Sequence, residues 1–140
     1  MNKMITHTFL VIVVLCLTYF LLCRQLDYYM SPKDPLLDEL KSQLSGLHPK
    51  FEHVELYQGD KTYTINKKKV YVCLKDEHGR YYNRNMLVYA ICHEYAHVLC
   101  DEIGHTDKFF RIFEQLLKKA TEQGLYDPNI PPLQEYCGHK

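Results

Sequence analysis

The longest apolar run of the chain lies near its N-terminus. Residues 8–23 contain no charged side chain, and with Ile5 the run approaches the roughly 20 residues that a helix needs to cross a bilayer. Tyr28 and Tyr29 follow the run, where interfacial aromatic residues are common. The run ends without the small-residue pattern of a signal-peptide cleavage site. We therefore predict an uncleaved membrane anchor at residues 5–23, and a cleaved signal peptide is the less favoured alternative.

The pattern after this run predicts one small domain at residues 35–138. Residues 24–34 form a short polar segment with Pro32 inside it and Pro35 directly after it as breakers, which predicts a linker. An early proline and leucines at helical spacing predict a helix over residues 35–47. Alternating or β-branched residues then predict three strands. The strands are expected over residues 51–57, 62–65 and 69–75.

Two longer helices are predicted in the second half of the domain. Asn83 is a plausible N-cap, and no glycine or proline interrupts the chain from there to about Asp101. This helix carries a broad apolar face and a second stripe with two histidines, so one side is expected in the core and the other beside a cleft. Gly104 turns the chain, and Thr106 caps a helix that runs to about Gln123. The residues of that helix expected to face inward are Phe109, Phe110, Ile112, Phe113, Leu116 and Leu117.

Charge composition gives no sign of a nucleic-acid partner. The 140 residues carry a formal net charge of zero. A locally basic stretch around residues 61–84 is interpreted as a solvated surface of strands and turns. We therefore predict no nucleic-acid binding.

Four of the six cysteines lie outside the apolar run, at Cys73, Cys92, Cys100 and Cys137. An even number permits disulfides in an oxidising compartment, but the spacing contains no CxxC pair and no dense framework. We favour reduced, buried cysteines that pack as small hydrophobic side chains.

The most informative motif is HEYAH at residues 93–97, inside the first of these two helices. Histidines four residues apart lie on the same helix face, so His93 and His97 can reach one metal ion. Glu94 is close to that ion but offset from it, which suits a general base rather than a ligand. A nitrogen-rich donor set without cysteine favours Zn²⁺ over Ca²⁺ or Mg²⁺.

A catalytic zinc site takes three protein ligands and leaves one position open. His105 is the first candidate for the third ligand, because Gly104 can swing the chain back across the helix end. Glu114 and then Glu122 are rival candidates from the following helix. The alternative for His105 is that it only opens that helix.

This constellation predicts hydrolysis by a metal-activated water. Glu94 would take a proton from the water and return it to the leaving amine. Tyr126 or Tyr136 could stabilise the oxyanion, and Asp101 could orient a ligand histidine from behind. For each of these three residues a purely structural role is the competing interpretation. The strand within residues 70–74 is expected at the sheet edge beside the cleft, where a peptide could pair with it.

The HExxH motif followed by GHTDKF at residues 104–109 resembles the SprT-like and WLM-type zinc metallopeptidases over about residues 69–120. The chain also looks like small metallopeptidase-like proteins of large DNA viruses that end in Tyr-Cys-Gly, here residues 136–138. The resemblance implies an α+β, zincin-like domain with a small antiparallel or mixed sheet packed on the HExxH helix. It implies that His93, His97 and His105 bind the metal and that Glu94 is the catalytic base. The spacing from His97 to His105 is longer than is common in WLM-type members.

These observations predict a single-pass, membrane-anchored zinc metallopeptidase that acts on a peptide or protein substrate. Two alternatives stay open: a non-catalytic binding module that zinc only stabilises, and a structural membrane protein of a virion. The positive charges that flank the anchor are nearly balanced, so the sequence predicts no side of the membrane. It predicts no oligomeric state.

Overall fold

The computed structural model describes residues 2–30 and 33–138, and of residues 27–30 it describes only the backbone. The chain divides into two compact units, with the division between residues 32 and 33, and each unit is described by itself.

The N-terminal unit is a helix, α1, over Lys3–Met30. Its part Lys3–Leu26 is long and apolar enough to cross a membrane, a test that a signal sequence also passes. Helical structure continues into the segment 24–34 predicted as a linker, because no glycine or proline interrupts the chain before Pro32.

The second unit begins with helix α2 over Pro35–Leu44, which the side chain of Asp34 caps by accepting a hydrogen bond from the Leu36 amide. Two short 3₁₀ helices follow, over Ser45–Leu47 and Pro49–His53. The prediction of a strand from residue 51 was therefore wrong at its start. The proline at residue 49 favours a helical turn, and Phe51 is buried within that turn.

A three-stranded mixed sheet forms the next layer. Strands β1 (Glu55–Gln58), β2 (Tyr63–Ile65) and β3 (Lys69–Val72) lie in the order β1-β3-β2. β3 pairs with β1 in parallel and with β2 antiparallel. The prediction that the strand within 70–74 is an edge was wrong, because β3 lies at the centre of the sheet. Its side chains Val70 and Val72 are fully buried, which suits a central strand.

Helices α3 (Arg84–Leu99) and α4 (Asp107–Glu122) complete the domain. The predicted caps are confirmed: Asn83 accepts a hydrogen bond from the Met86 amide, and Thr106 accepts one from the Phe109 amide. α3 contacts β2, β3 and α4, so it forms the centre of an α+β domain. Ten of its residues are buried. They include all members of the predicted apolar face except Leu99, namely Leu87, Val88, Ile91, Cys92, Tyr95 and Val98.

The amphipathic pattern of α4 was predicted with one error. Phe109, Phe113 and Leu116 are buried, whereas Phe110 is exposed. Phe110 follows Phe109 directly, and neighbouring residues on a helix point about 100° apart.

The expectation of four reduced cysteines was wrong for one pair. Cys73, just after β3, forms a disulfide with Cys137 near the C-terminus, 64 positions away. Cys92 and Cys100 are free and buried, as predicted. Burial raises the pKa of the Cys92 thiol to about 12. Cys92 is therefore an unreactive packing residue.

Candidate metal centre

Helix α3 and the turn at Gly104 together bring three histidines around one point. His93 and His97 lie one helical turn apart on α3. Gly104 has φ of 84°, a left-handed conformation that turns the chain and places His105 opposite them. The three ring centroids form a nearly equilateral triangle, with sides of 5.1, 4.9 and 5.0 Å.

The donor atoms of this triangle fit a single metal ion. One ring nitrogen from each histidine lies within 4.8 Å of the other two. The Nε2 atoms of His93 and His105 are 3.0 Å apart. Two zinc-bound nitrogens in a tetrahedral site are about 3.3 Å apart, given Zn–N bonds of about 2.0–2.1 Å. The arrangement therefore suits a tetrahedral ion with three protein donors.

Two histidines of the cluster have lowered pKa values, which favours the binding of a cation. Burial, with like-charge repulsion from His97 and His105, lowers the pKa of His93 to about 4. Burial and His105 also lower the pKa of His97. The neutral imidazole is the form that binds metal, so these shifts leave the lone pairs available at neutral pH.

Phe109 forms the apolar wall behind the histidines. It is fully buried, and its ring centroid lies 4.9, 4.3 and 4.9 Å from those of His93, His97 and His105. The sequence pattern predicted Phe109 only as a core residue. Its contact with all three histidines depends on how α4 packs against α3.

Glu94 is the buried carboxylate of the site. It is 7% exposed, and its Oε2 atom accepts a hydrogen bond of 2.6 Å from the Thr64 hydroxyl on β2. Burial raises the pKa of Glu94, and the hydrogen bond from Thr64 partly opposes this shift. Thr64 was not predicted as a site residue, because no local signal relates a strand threonine to a helix glutamate 30 positions later.

A cavity of about 920 Å³ opens in front of the histidines. The walls include the three histidines, Glu94, residues of β2, the N-terminal half of α3 and Tyr136. Gly104 and its exposed neighbours Glu102 and Ile103 also line the cavity.

The remaining predicted site residues take different positions. Tyr136 lines the cavity, but its hydroxyl donates to the Cys73 carbonyl at 2.7 Å, and burial raises its pKa to about 12. Tyr126 packs near Tyr89 and is not part of the cavity wall. Asp101 pairs with Lys108 at 2.5 Å and has no histidine partner among the described residues.

The two rival ligands are not part of the cluster. Glu114 and Glu122 are exposed on α4. Among the described residues, the group that could hold a metal consists of the three histidines alone.

The fold and the site together define a small α+β domain with a three-histidine centre beside a buried carboxylate. The chain is 47% identical over 87 residues to an uncharacterized protein of Invertebrate iridescent virus 6, which covers 60% of this chain and 49% of that protein. It is 42% identical over 88 residues to one of Invertebrate iridescent virus 3, covering 62% and 55%. A protein of Acanthamoeba polyphaga mimivirus is 29% identical over 123 residues, covering 81% and 62%.

The chain is thus similar to viral proteins, and it spans 49% to 62% of the length of these relatives. No family model matches the chain. No solved structure matches it.

Proposed function

We propose that this chain is a zinc-dependent metallopeptidase with a zincin-like domain, related to the SprT-like and WLM-type enzymes. The observation that carries the proposal is the triangle of His93, His97 and His105 with the Glu94 carboxylate beside it. A metal that only stabilises a fold is usually enclosed by four protein ligands, whereas this cluster offers three and faces a cavity. A buried carboxylate beside such a cluster suits the general base of a metal-assisted hydrolysis.

The histidines and Glu94 would have different roles in the reaction. The three histidines would hold the ion through neutral ring nitrogens. Bound zinc would supply a Lewis acid that lowers the pKa of water to near neutrality. Glu94 would accept the proton of the attacking water and deliver it to the leaving amine. We assign no side chain to the oxyanion, since the Tyr136 hydroxyl already donates within the fold and Tyr126 is outside the cavity.

The cavity supports a peptide as the substrate. Residues of β2, an edge strand of the sheet, line the cavity, and an extended chain can add to such an edge by main-chain hydrogen bonds. We therefore propose that the substrate adds beside β2 rather than beside β3, which is central in the sheet.

We also propose that α1 anchors the enzyme in a membrane by a single pass. The helix meets the length and composition of a span. The Cys73–Cys137 disulfide supports placing the domain on the oxidising side of that membrane. The mass of the mature protein tests the anchor, because a cleaved signal peptide would leave a chain that lacks residues 5–23.

The test of the enzymatic proposal compares two glutamate variants of the full chain in detergent. Glu94→Gln should keep about one zinc per chain and lose at least about 100-fold in the rate of cleavage of an unfolded protein substrate. Glu102→Gln is the matched control, since Glu102 lines the same cavity at its exposed rim. It should keep both zinc and activity.

The alternatives give different results in the same experiment. Activity that survives in Glu94→Gln would contradict the mechanism. A wild-type chain that binds zinc and cleaves nothing would favour a zinc-stabilised binding module. A chain without stoichiometric zinc would favour a structural membrane protein.

A further inference from the structure

We infer that Thr64 is a positioning residue that holds the Glu94 carboxylate in the orientation needed for proton transfer. The inference rests on the proposed peptidase function and names a residue outside the HExxH motif that this function requires.

Thr64 is the one residue of β2 that faces α3. It occupies the middle of the three-residue strand, opposite Val70 of β3. Successive strand residues point to opposite faces, and Tyr63 and Ile65 on either side are exposed, at 43% and 39%. The Thr64 hydroxyl donates to Oε2 of Glu94 at 2.6 Å and also lies 3.4 Å from the Glu94 carbonyl oxygen.

This contact gives the two oxygens of the Glu94 carboxylate different surroundings. Oε2 is held by Thr64, whereas Oε1 has no hydrogen-bond partner within residues 2–30 and 33–138. Glu94 is the one buried charged side chain among the described residues, and a buried carboxylate without a hydrogen bond destabilises the fold. With Oε2 fixed, the carboxylate cannot rotate freely, and Oε1 is the oxygen left to accept a proton.

Hydrogen bonds hold the chain on both sides of β2, so the position of Thr64 is well defined. Before β2, the Thr62 hydroxyl accepts a hydrogen bond from the Cys73 amide at 3.0 Å and shares one with Tyr136 at 2.9 Å. After β2, Lys67 donates to the Cys100 carbonyl at the end of α3. An edge strand of three residues would otherwise be weakly held. The Thr62 contacts hold its start to Cys73 and Tyr136, and the Lys67 contact holds its end to the helix that carries Glu94.

The test compares Thr64→Val with Thr64→Ser in the zinc-loaded full chain in detergent. Valine keeps the shape and removes the hydroxyl, whereas serine keeps the hydroxyl and removes a methyl group. We expect Thr64→Val to lower kcat by about 10- to 100-fold, the range for loss of a hydrogen bond to a charged group, with KM and zinc content unchanged. Thr64→Ser should stay within about threefold of wild type, since it restores the same bond.

A control and a second measurement separate positioning from folding. Thr121→Val removes an exposed hydroxyl that bonds only within α4, and it should leave kcat unchanged. Thermal unfolding of the metal-free chain should show that Thr64→Val lowers Tm in the wild-type background and much less in a Glu94→Ala background.

The results that would overturn the inference are distinct from those that would overturn the function. A wild-type kcat in Thr64→Val, beside an inactive Glu94→Gln, removes the positioning role and leaves the peptidase intact. Equal losses in the valine and serine variants, or equal Tm shifts in both backgrounds, also overturn it. A wild-type chain that holds zinc without cleaving anything overturns the proposed function, and the role of Thr64 in proton transfer with it.

Discussion

Removal of the Cys73–Cys137 disulfide should cost the domain a large part of its stability. The perturbation is the double variant Cys73→Ser/Cys137→Ser, which leaves the free cysteines unchanged. The bond closes a loop over a sequence separation of 64. In the chain-entropy account, a loop of this length stabilises the folded state by about 4 kcal/mol. A small domain has only about 5–15 kcal/mol of total stability, so the loss should be easy to measure.

The assay is urea unfolding of the metal-free full chain in detergent, followed by near-ultraviolet circular dichroism of its tyrosines. Dithiothreitol should lower the urea midpoint of the wild type to that of the double variant and leave the variant unchanged. Cys92 and Cys100 are free in both proteins, so they contribute no response to the reductant. If the double variant unfolds at the wild-type midpoint, the loop-closure reasoning is refuted.

Three further predictions concern the site and the core. His105→Ala should weaken zinc binding by more than about 100-fold in competition with a chelating dye, because it removes one of the three proposed ligands, whereas Glu114→Ala should have no effect. Tyr95→Phe should raise the free energy of unfolding in urea by about 1 kcal/mol, because the Tyr95 hydroxyl is buried without a hydrogen-bond partner among the described residues. A lower free energy of unfolding would contradict this prediction. The metal-free chain should lose stability as pH falls from about 6.5 to about 4. The reason is that His93 has a pKa of about 4 in the folded state against an ordinary value of 6.5, so the unfolded state binds the extra proton in this range. The urea midpoint should fall less across this pH range in His93→Asn than in the wild type. An equal fall in both proteins would contradict the role of His93 in the pH dependence.

The local features of the site could be predicted from the sequence because their causes are local. The spacing of His93 and His97 and the caps at Asn83 and Thr106 all act within one helical turn. The turn at Gly104 depends on the conformational freedom of a single residue. Each of these features was anticipated in type and position.

Features that join distant parts of the chain could not be predicted in the same way. Alternation identified β2 and β3 as strands, but it does not encode their order, so the edge of the sheet was assigned to the wrong strand. The spacing of four cysteines likewise does not determine which two will meet.

The sequence by itself determined a helix that can present two imidazoles and a carboxylate on a short stretch of chain. The tertiary structure alone decided what surrounds them. Packing of α4 brings Phe109 behind the histidines, and the edge position of β2 brings the Thr64 hydroxyl onto Glu94. The physical reason is that helix geometry follows from neighbours in sequence, whereas these contacts form only when separate elements bury their apolar faces against one another.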